Sequence, residues 1–239
     1  MLAPMSARVA AVVILLLGCG SRRASEPAIA GLPPIDAPWT SGQLGQAATV
    51  IATLCAEAPT RLPTYGSRTF ARLVAADNRS TIVAAPLAAR VADFATHTGA
   101  VLTIYDAYFR CGRPTETLAA NAALLEGYAA SIADGDALIA AAPSGTPETL
   151  RKLAGREQKV AGLRGGIVST IDLVADPQLA APVPPELATR LGTAIAQVEA
   201  ALGPAGLAEP RAHLDATIAA SLEPTRKAAL TAIRAAVGP

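Results

Sequence analysis

Charge of one sign, histidine, methionine and aromatic rings are all scarce in this 239-residue chain. Lysine plus arginine number 20 and aspartate plus glutamate 19, for a formal net charge of +1. That balance leaves no electrostatic footprint for nucleic acid, which a basic stripe would supply. The two histidines, His97 and His213, have no partner at ligand spacing, and neither H-E-x-x-H nor C-x-x-C-H occurs. Zinc-peptidase chemistry and covalent haem attachment are excluded on that ground. There is no G-x-S-x-G, and no glycine-rich loop follows a strand, because no segment alternates with period two. Nucleophile-elbow hydrolases and phosphate-cradling nucleotide folds drop out with them. Asp134-Gly135-Asp136 offers two carboxylates without the other ligands of a calcium loop, and reads as a helix break with solvated charge. No catalytic residue, metal or cofactor is expected, and the chain reads as a non-enzyme.

Alanine is abundant instead, approaching a quarter of the residues, and it accounts for much of the mean hydropathy of +0.37. Alanine is the best helix former and adds little buried area, so closely approaching helices are the expected product. The apolar period is helical from Ser41 onward. Ser41 is placed as the cap of a first helix carrying Leu44, Ala48, Ile51 and Cys55 and closed by Pro59. Ser67 opens a short helix through Phe70 and Leu73. Ser80 or Thr81 opens a long one through Leu87, Phe94, Val101 and Tyr108, with Pro86 in its first turn or at an early kink. Gly112 reads as its terminator and Pro114 as the first residue of the next helix, whose Leu118, Leu125, Ile132 and Ile139 recur at seven.

Thr146 and Pro147 start another long helix through Leu150, Leu153, Val160, Leu163, Ile167, Ile171 and Val174, stopped at Asp176-Pro177. Leu187, Leu191, Ile195, Val198 and Leu202 mark the next. Leu214, Ile218, Leu222, Leu230, Ile233 and Val237 mark a last one, bent at Pro224. Short links between long helices make neighbours antiparallel. The expected fold is an all-α antiparallel bundle of about six or seven helices, several of them long, in a single domain over residues 41–239.

The eight aromatics all lie between Trp39 and Tyr128. The later helices must pack on aliphatic side chains, with Gly155, Gly162, Gly165 and Gly166 expected to let neighbours approach closely. Tyr105-Asp106-Ala107-Tyr108-Phe109-Arg110 is the densest aromatic stretch, with Arg113 beside it. Tyrosine and arginine are enriched at binding hot spots. Tyr105, Tyr108, Phe109, Arg110 and Arg113 therefore form a candidate ligand or partner surface. A core stripe at the bundle's end is the other reading of the same residues.

The chain opens with Arg8, an uninterrupted apolar run Val9–Leu17, then Gly18, Cys19, Ser21, Arg22 and Arg23. A spanning helix needs about 20 apolar residues, so this shorter run fits a signal-peptide core better. Leu16-Leu17-Gly18-Cys19 resembles the lipobox of bacterial lipoprotein precursors. The resemblance implies cleavage after residue 18, lipid on Cys19 and a membrane anchor that needs no spanning helix. Two or more acyl chains hold where one is marginal. Gly20 follows the cysteine, which resembles the outer-membrane-directed case more than the inner. Localisation in the cell envelope facing the periplasm, with other envelope proteins as possible partners, is what this implies.

Residues 19–40, rich in proline and small side chains, read as the lipidated cysteine plus a flexible tether. Cys55 and Cys111 remain, and in an exported protein an even pair invites a disulfide, the other reading being two buried thiols.

Overall fold

A computed structural model describes residues 29–179 and 181–238. The leader, Cys19 and the tether up to residue 28 lie outside these residues. Among the described residues the regular structure is helical: α1 (Ser41–Glu57), α2 (Arg68–Leu73), α3 (Ser80–Val83), α4 (Leu87–Arg110), α5 (Pro114–Ala140), α6 (Pro147–Ala175), α7 (Pro185–Leu202), α8 (Ala208–Ala220) and α9 (Pro224–Val237), with short 3-10 turns between some of them. The all-α bundle is thus observed. It has more segments than the periodicity gives because two long helices are divided. Pro86, extended at ψ 150°, stands between the single turn α3 and α4. Ser221 and Glu223, also extended, part α8 from α9, and Leu222, expected in a buried stripe, is 96% exposed between them.

α5 is the central helix. It packs on α4 along one side, on α7 along another and on α6 along a third; α1 lies on α4, α9 on α7, and α8 links α6 to α9. Every residue from Glu116 to Gly127 is buried, including Leu118 and Leu125 of the seven-residue repeat. Each such leucine contributes about 1.5–3 kcal/mol by leaving water. The turn into α5 ends α4 in a Schellman motif. Gly112 has φ +63°, its N–H donates to Phe109 O (3.1 Å), and Arg113 N–H donates to Tyr108 O (3.0 Å). The glycine sits where a side chain would be strained.

Local caps settle other ends. Thr40, one residue before the expected cap, accepts the Gln43 N–H, and the Gln43 side chain accepts the Thr40 N–H, closing a capping box. Thr146 caps α6 as its sequence position requires. Asp134-Gly135-Asp136 does not break α5. Asp134 pairs with Arg90 of α4 (2.8 Å) and Asp136 pairs with Arg156 of α6, so both carboxylates are satisfied without leaving the helix.

The end of the expected tether is folded down. Trp39 is 1% exposed; its N–H donates to Asn78 Oδ1 (2.9 Å) and its indole Nε1 to Pro34 O (2.7 Å), while Asp36 pairs with Arg68 (2.8 Å). Leu32 and Ile35 pack against the core as well. A buried indole supplies a large apolar area, and prolines at 33, 34 and 38 reduce the entropy lost on ordering. Cys55 on α1 and Cys111 at the end of α4 form a disulfide, with Cα atoms 5.9 Å apart at a sequence separation of 56.

Candidate functional site

The five residues singled out from the sequence do not act as one patch. Tyr108 is fully buried, donates its hydroxyl to Pro63 O (2.9 Å) and meets Phe70 edge-on at 5.3 Å. Burial pushes its phenol well above the ordinary range. It belongs to the core. Tyr105 and Phe109, four residues apart, share the other side of α4 and stack at 6.1 Å with planes 9° apart. Phe109 is 58% exposed. Burial and, secondarily, the neighbouring Asp106 raise the Tyr105 phenol. Arg110 folds back on its own helix, Nε donating to Asp106 O (3.2 Å), and Arg113 donates to Pro59 O (3.3 Å) beside Cys55 and Cys111.

Tyr105 and Phe109 form part of a longer feature that the sequence reading missed. α6 meets α5 along a single stripe, and α4 faces it across an open trough. Four depressions follow one another along α6 and share lining residues. The first, about 250 Å³, lies among Val91, Ile132, Ile139, Lys152, Gly155 and Lys159. The second, about 340 Å³, shares Lys159 and adds Leu102, Tyr105, Leu124, Tyr128 and Gly162. The third, about 660 Å³, shares Tyr105 and reaches Phe109, Asp172, Leu173 and Asp176. The last, about 270 Å³, shares Phe109 and ends at Arg113 and Leu179. The walls are mostly apolar, and two polar contacts join α5 to α6 along the trough, Asn121 Nδ2 donating to Thr170 Oγ1 and Arg156 pairing with Asp136.

Charge along this trough is graded. Lys152, Arg156 and Lys159 stand at the start of α6; Lys152 pairs with Glu148 (2.9 Å), Arg156 with Asp136, and Lys159 forms no ion pair among the described residues. Asp172 and Asp176 stand at its end, Asp172 facing His213 Nε2 (2.7 Å) and Asp176 accepting the Gln178 N–H (2.8 Å). A signal for this face was present in sequence: Lys152, Gly155, Lys159, Gly162, Gly166, Ser169, Leu173 and Asp176 alternate by three and four. Its small and charged members hide it from a search for apolar stripes.

The four glycines expected to admit close neighbours do not. A Cβ added at Gly155, Gly162, Gly165 or Gly166 meets nothing within 4 Å, because α6 is exposed on that side. Close approach occurs instead at Gly192 of α7, where an added Cβ would lie 2.5 Å from Ile233 O and 2.6 Å from Ala236 Cβ of α9.

Glu126 and His97 are buried away from the trough. Glu126 receives Arg190 Nε (2.9 Å) and Arg79 Nη1 (2.8 Å); burial pushes its carboxyl up, but the two guanidinium groups outweigh this and hold it below the usual range. Arg190 also donates to Val74 O (2.6 Å), so the cluster fastens α2, α5 and α7 together and is structural. His97, placed by its sequence at the edge of a stripe, is 2% exposed, with Nδ1 unpartnered. Burial, then the Arg79 charge, lowers it to about 4, so it is neutral near pH 7.

Among the described residues no group of three or more His, Cys, Asp or Glu could hold a metal ion, and no helix is long and apolar enough to cross a membrane. Comparison of the chain with family models, curated proteins and solved structures finds no match.

Proposed function

We propose that this chain is a lipid-anchored protein of the bacterial cell envelope, facing the periplasm from the outer membrane, whose helical body is a non-catalytic interaction module. The trough beside α6 carries the second half of that reading. It exposes Phe109 and Leu102 (58% and 39%) on an apolar surface rimmed by charge, the character of a contact surface for another macromolecule. A small-ligand pocket built on Tyr105, Tyr108 and Phe109 is less well supported. Tyr108 is committed to the core, and the trough is open along its length.

The anchor rests on Leu16-Leu17-Gly18-Cys19 after an apolar run, and the Cys55–Cys111 disulfide agrees with an oxidising compartment. Metabolic labelling with a fatty acid tests the anchor: the parent chain takes up label and fractionates with membranes, and Cys19→Ser loses both. Equal label in parent and variant would defeat it. A photo-crosslinking residue at position 109 tests the contact surface. It should capture protein in intact envelopes, whereas the same group at the exposed position 222 should not; equal yields defeat the reading.

A further inference from the structure

We infer that the partner seated in the trough is a second copy of this chain, with the two α6 helices antiparallel across a two-fold axis. The inference rests on the proposed contact surface and names its occupant. The α6 residues facing the trough are symmetric in position: 152 and 176, 155 and 173, 159 and 169, and 162 and 166 are each equidistant from residue 164. Reversing α6 about that point lays every seam position on another seam position. A two-fold interface needs such self-complementarity, residue i meeting j while j meets i.

Charge obeys the same reversal with opposite sign. The two-fold sets Lys152 against Asp176 of the second copy, and Lys159 one turn from its Asp172. The free ammonium of Lys159 gains a carboxylate on each side of the axis, and Asp172, 59% exposed beside His213, gains a lysine. A parallel pairing would instead set lysine on lysine and aspartate on aspartate. Electrostatics thus selects direction and register more than it adds affinity.

The centre of the seam is Gly162 and Gly166, with open space over both. A glycine inside a helix is less favourable than alanine, and nothing within one chain approaches these two. A second α6 would use that space, and Leu102, Tyr105 and Phe109 would cover its flank. From Lys152 to Asp176 the helix runs about 36 Å, and the α4 wall widens the face beside it.

Sedimentation equilibrium of the full acylated chain in a density-matched non-ionic detergent tests this. The expected result is a monomer–dimer equilibrium. Lys159→Asp and Asp172→Lys should each weaken it about tenfold or more, since like charges then meet at both ends. Mixing the two variants should restore a one-to-one dimer. Far-ultraviolet circular dichroism establishes that each variant keeps its helices. In parallel, the double variant Gly162→Cys/Gly166→Cys should form a covalent dimer on mild oxidation, and Ala161→Cys should not.

A single monomeric species at every concentration, failure of the mixture to recover, or equal cross-linking by Ala161→Cys overturns the inference. The photo-crosslink at position 109 separates this failure from that of the contact surface. An adduct of twice the chain mass supports the dimer, whereas one of another mass keeps the surface and removes the dimer. Loss of label at Cys19 bears on the anchor alone.

Discussion

α5 and α6 are nearly equal in length, 27 and 29 residues, and both begin at a proline, yet one is buried on all sides from Glu116 to Gly127 and the other along one stripe. Through its middle, α5 carries alanine on every face, and α4, α7 and α6 all reach its backbone closely. One of its buried carboxylates, Glu126, is held by two arginines from neighbouring elements. α6 keeps Arg151, Lys152, Arg156, Glu157 and Lys159 among exposed or half-buried positions, and residues 150–155 are all exposed. Small side chains around a whole helix admit neighbours on every side, whereas charges at successive turns reserve a side for solvent or a partner. The neighbouring α1–α4 part is also closed by a disulfide, and no described residue of α6 is so fastened.

Removing that closure is the largest expected effect. Cys55→Ser with Cys111→Ser frees a loop whose closure entropy is worth about 4 kcal/mol in the chain-entropy model. Urea denaturation should show a fall of that order. Hydrogen exchange in the first turns of α6 should stay as fast as in the parent. Equal slowing or quickening in both regions would mean that the chain does not divide as described.

Acid should act on the α4–α5 seam next. His97 lies there, near the position where a Cβ on Gly127 would come within 3.7 Å of its Cδ2, with a folded-state value of about 4 against 6.5. The unfolded chain binds the proton more readily between those two values. Stability is therefore complete above pH 6.5, falls as the pH drops towards 4, and levels below that. The total contribution is about 3 kcal/mol. His97→Leu should flatten this segment of the stability–pH curve. An unchanged slope would remove His97 as its source.

Glycine to alanine gives opposite signs in the two regions. Gly192→Ala drives a methyl group into the α9 backbone and should cost about 1–3 kcal/mol. Gly165→Ala, on α6 and outside the trough, meets only open space and should stabilise by about 1 kcal/mol through helix propensity. At this chain length that is a rise of about 2–4 °C in Tm. Two changes of the same sign would erase the distinction between the packed and open helices.

Much of the fold was legible because its boundaries are local chemistry. Gly112 before Pro114, Thr146 before Pro147 and Gly203 before Pro204 each end or begin a helix by backbone geometry alone. The cysteine pair was legible for another reason, its even count in a chain read as exported. What a residue faces across space was not. Gly192 and Gly162 look alike in sequence, and only the position of α9 makes one indispensable. The aromatic cluster was half legible: at 3.6 residues per turn, residues 105 and 109 lie about 40° apart and share a face, while residue 108 turns about 60° the other way and reaches the core. Trp39 was misassigned because proline-rich composition suggests a tether, whereas one buried indole is enough to fasten it.

The smallest effect tests the weakest part of the sequence reading, the claim that Leu150 begins the buried stripe of α6. Its side chain is 57% exposed, and residues 151–155 that follow it are exposed too, Thr149 before it being buried. A leucine in a core loses about 2–5 kcal/mol on truncation to alanine, because apolar contact is lost and a cavity remains. On an open helix neither term exists, and alanine is slightly the better helix former. Leu150→Ala should therefore move the unfolding free energy by no more than about 0.5 kcal/mol. A loss of about 2 kcal/mol at concentrations where the chain is monomeric would place α6 against a neighbour along its whole length, and the contrast with α5 would fail. The same loss seen only at high concentration would instead put Leu150 in a contact between copies.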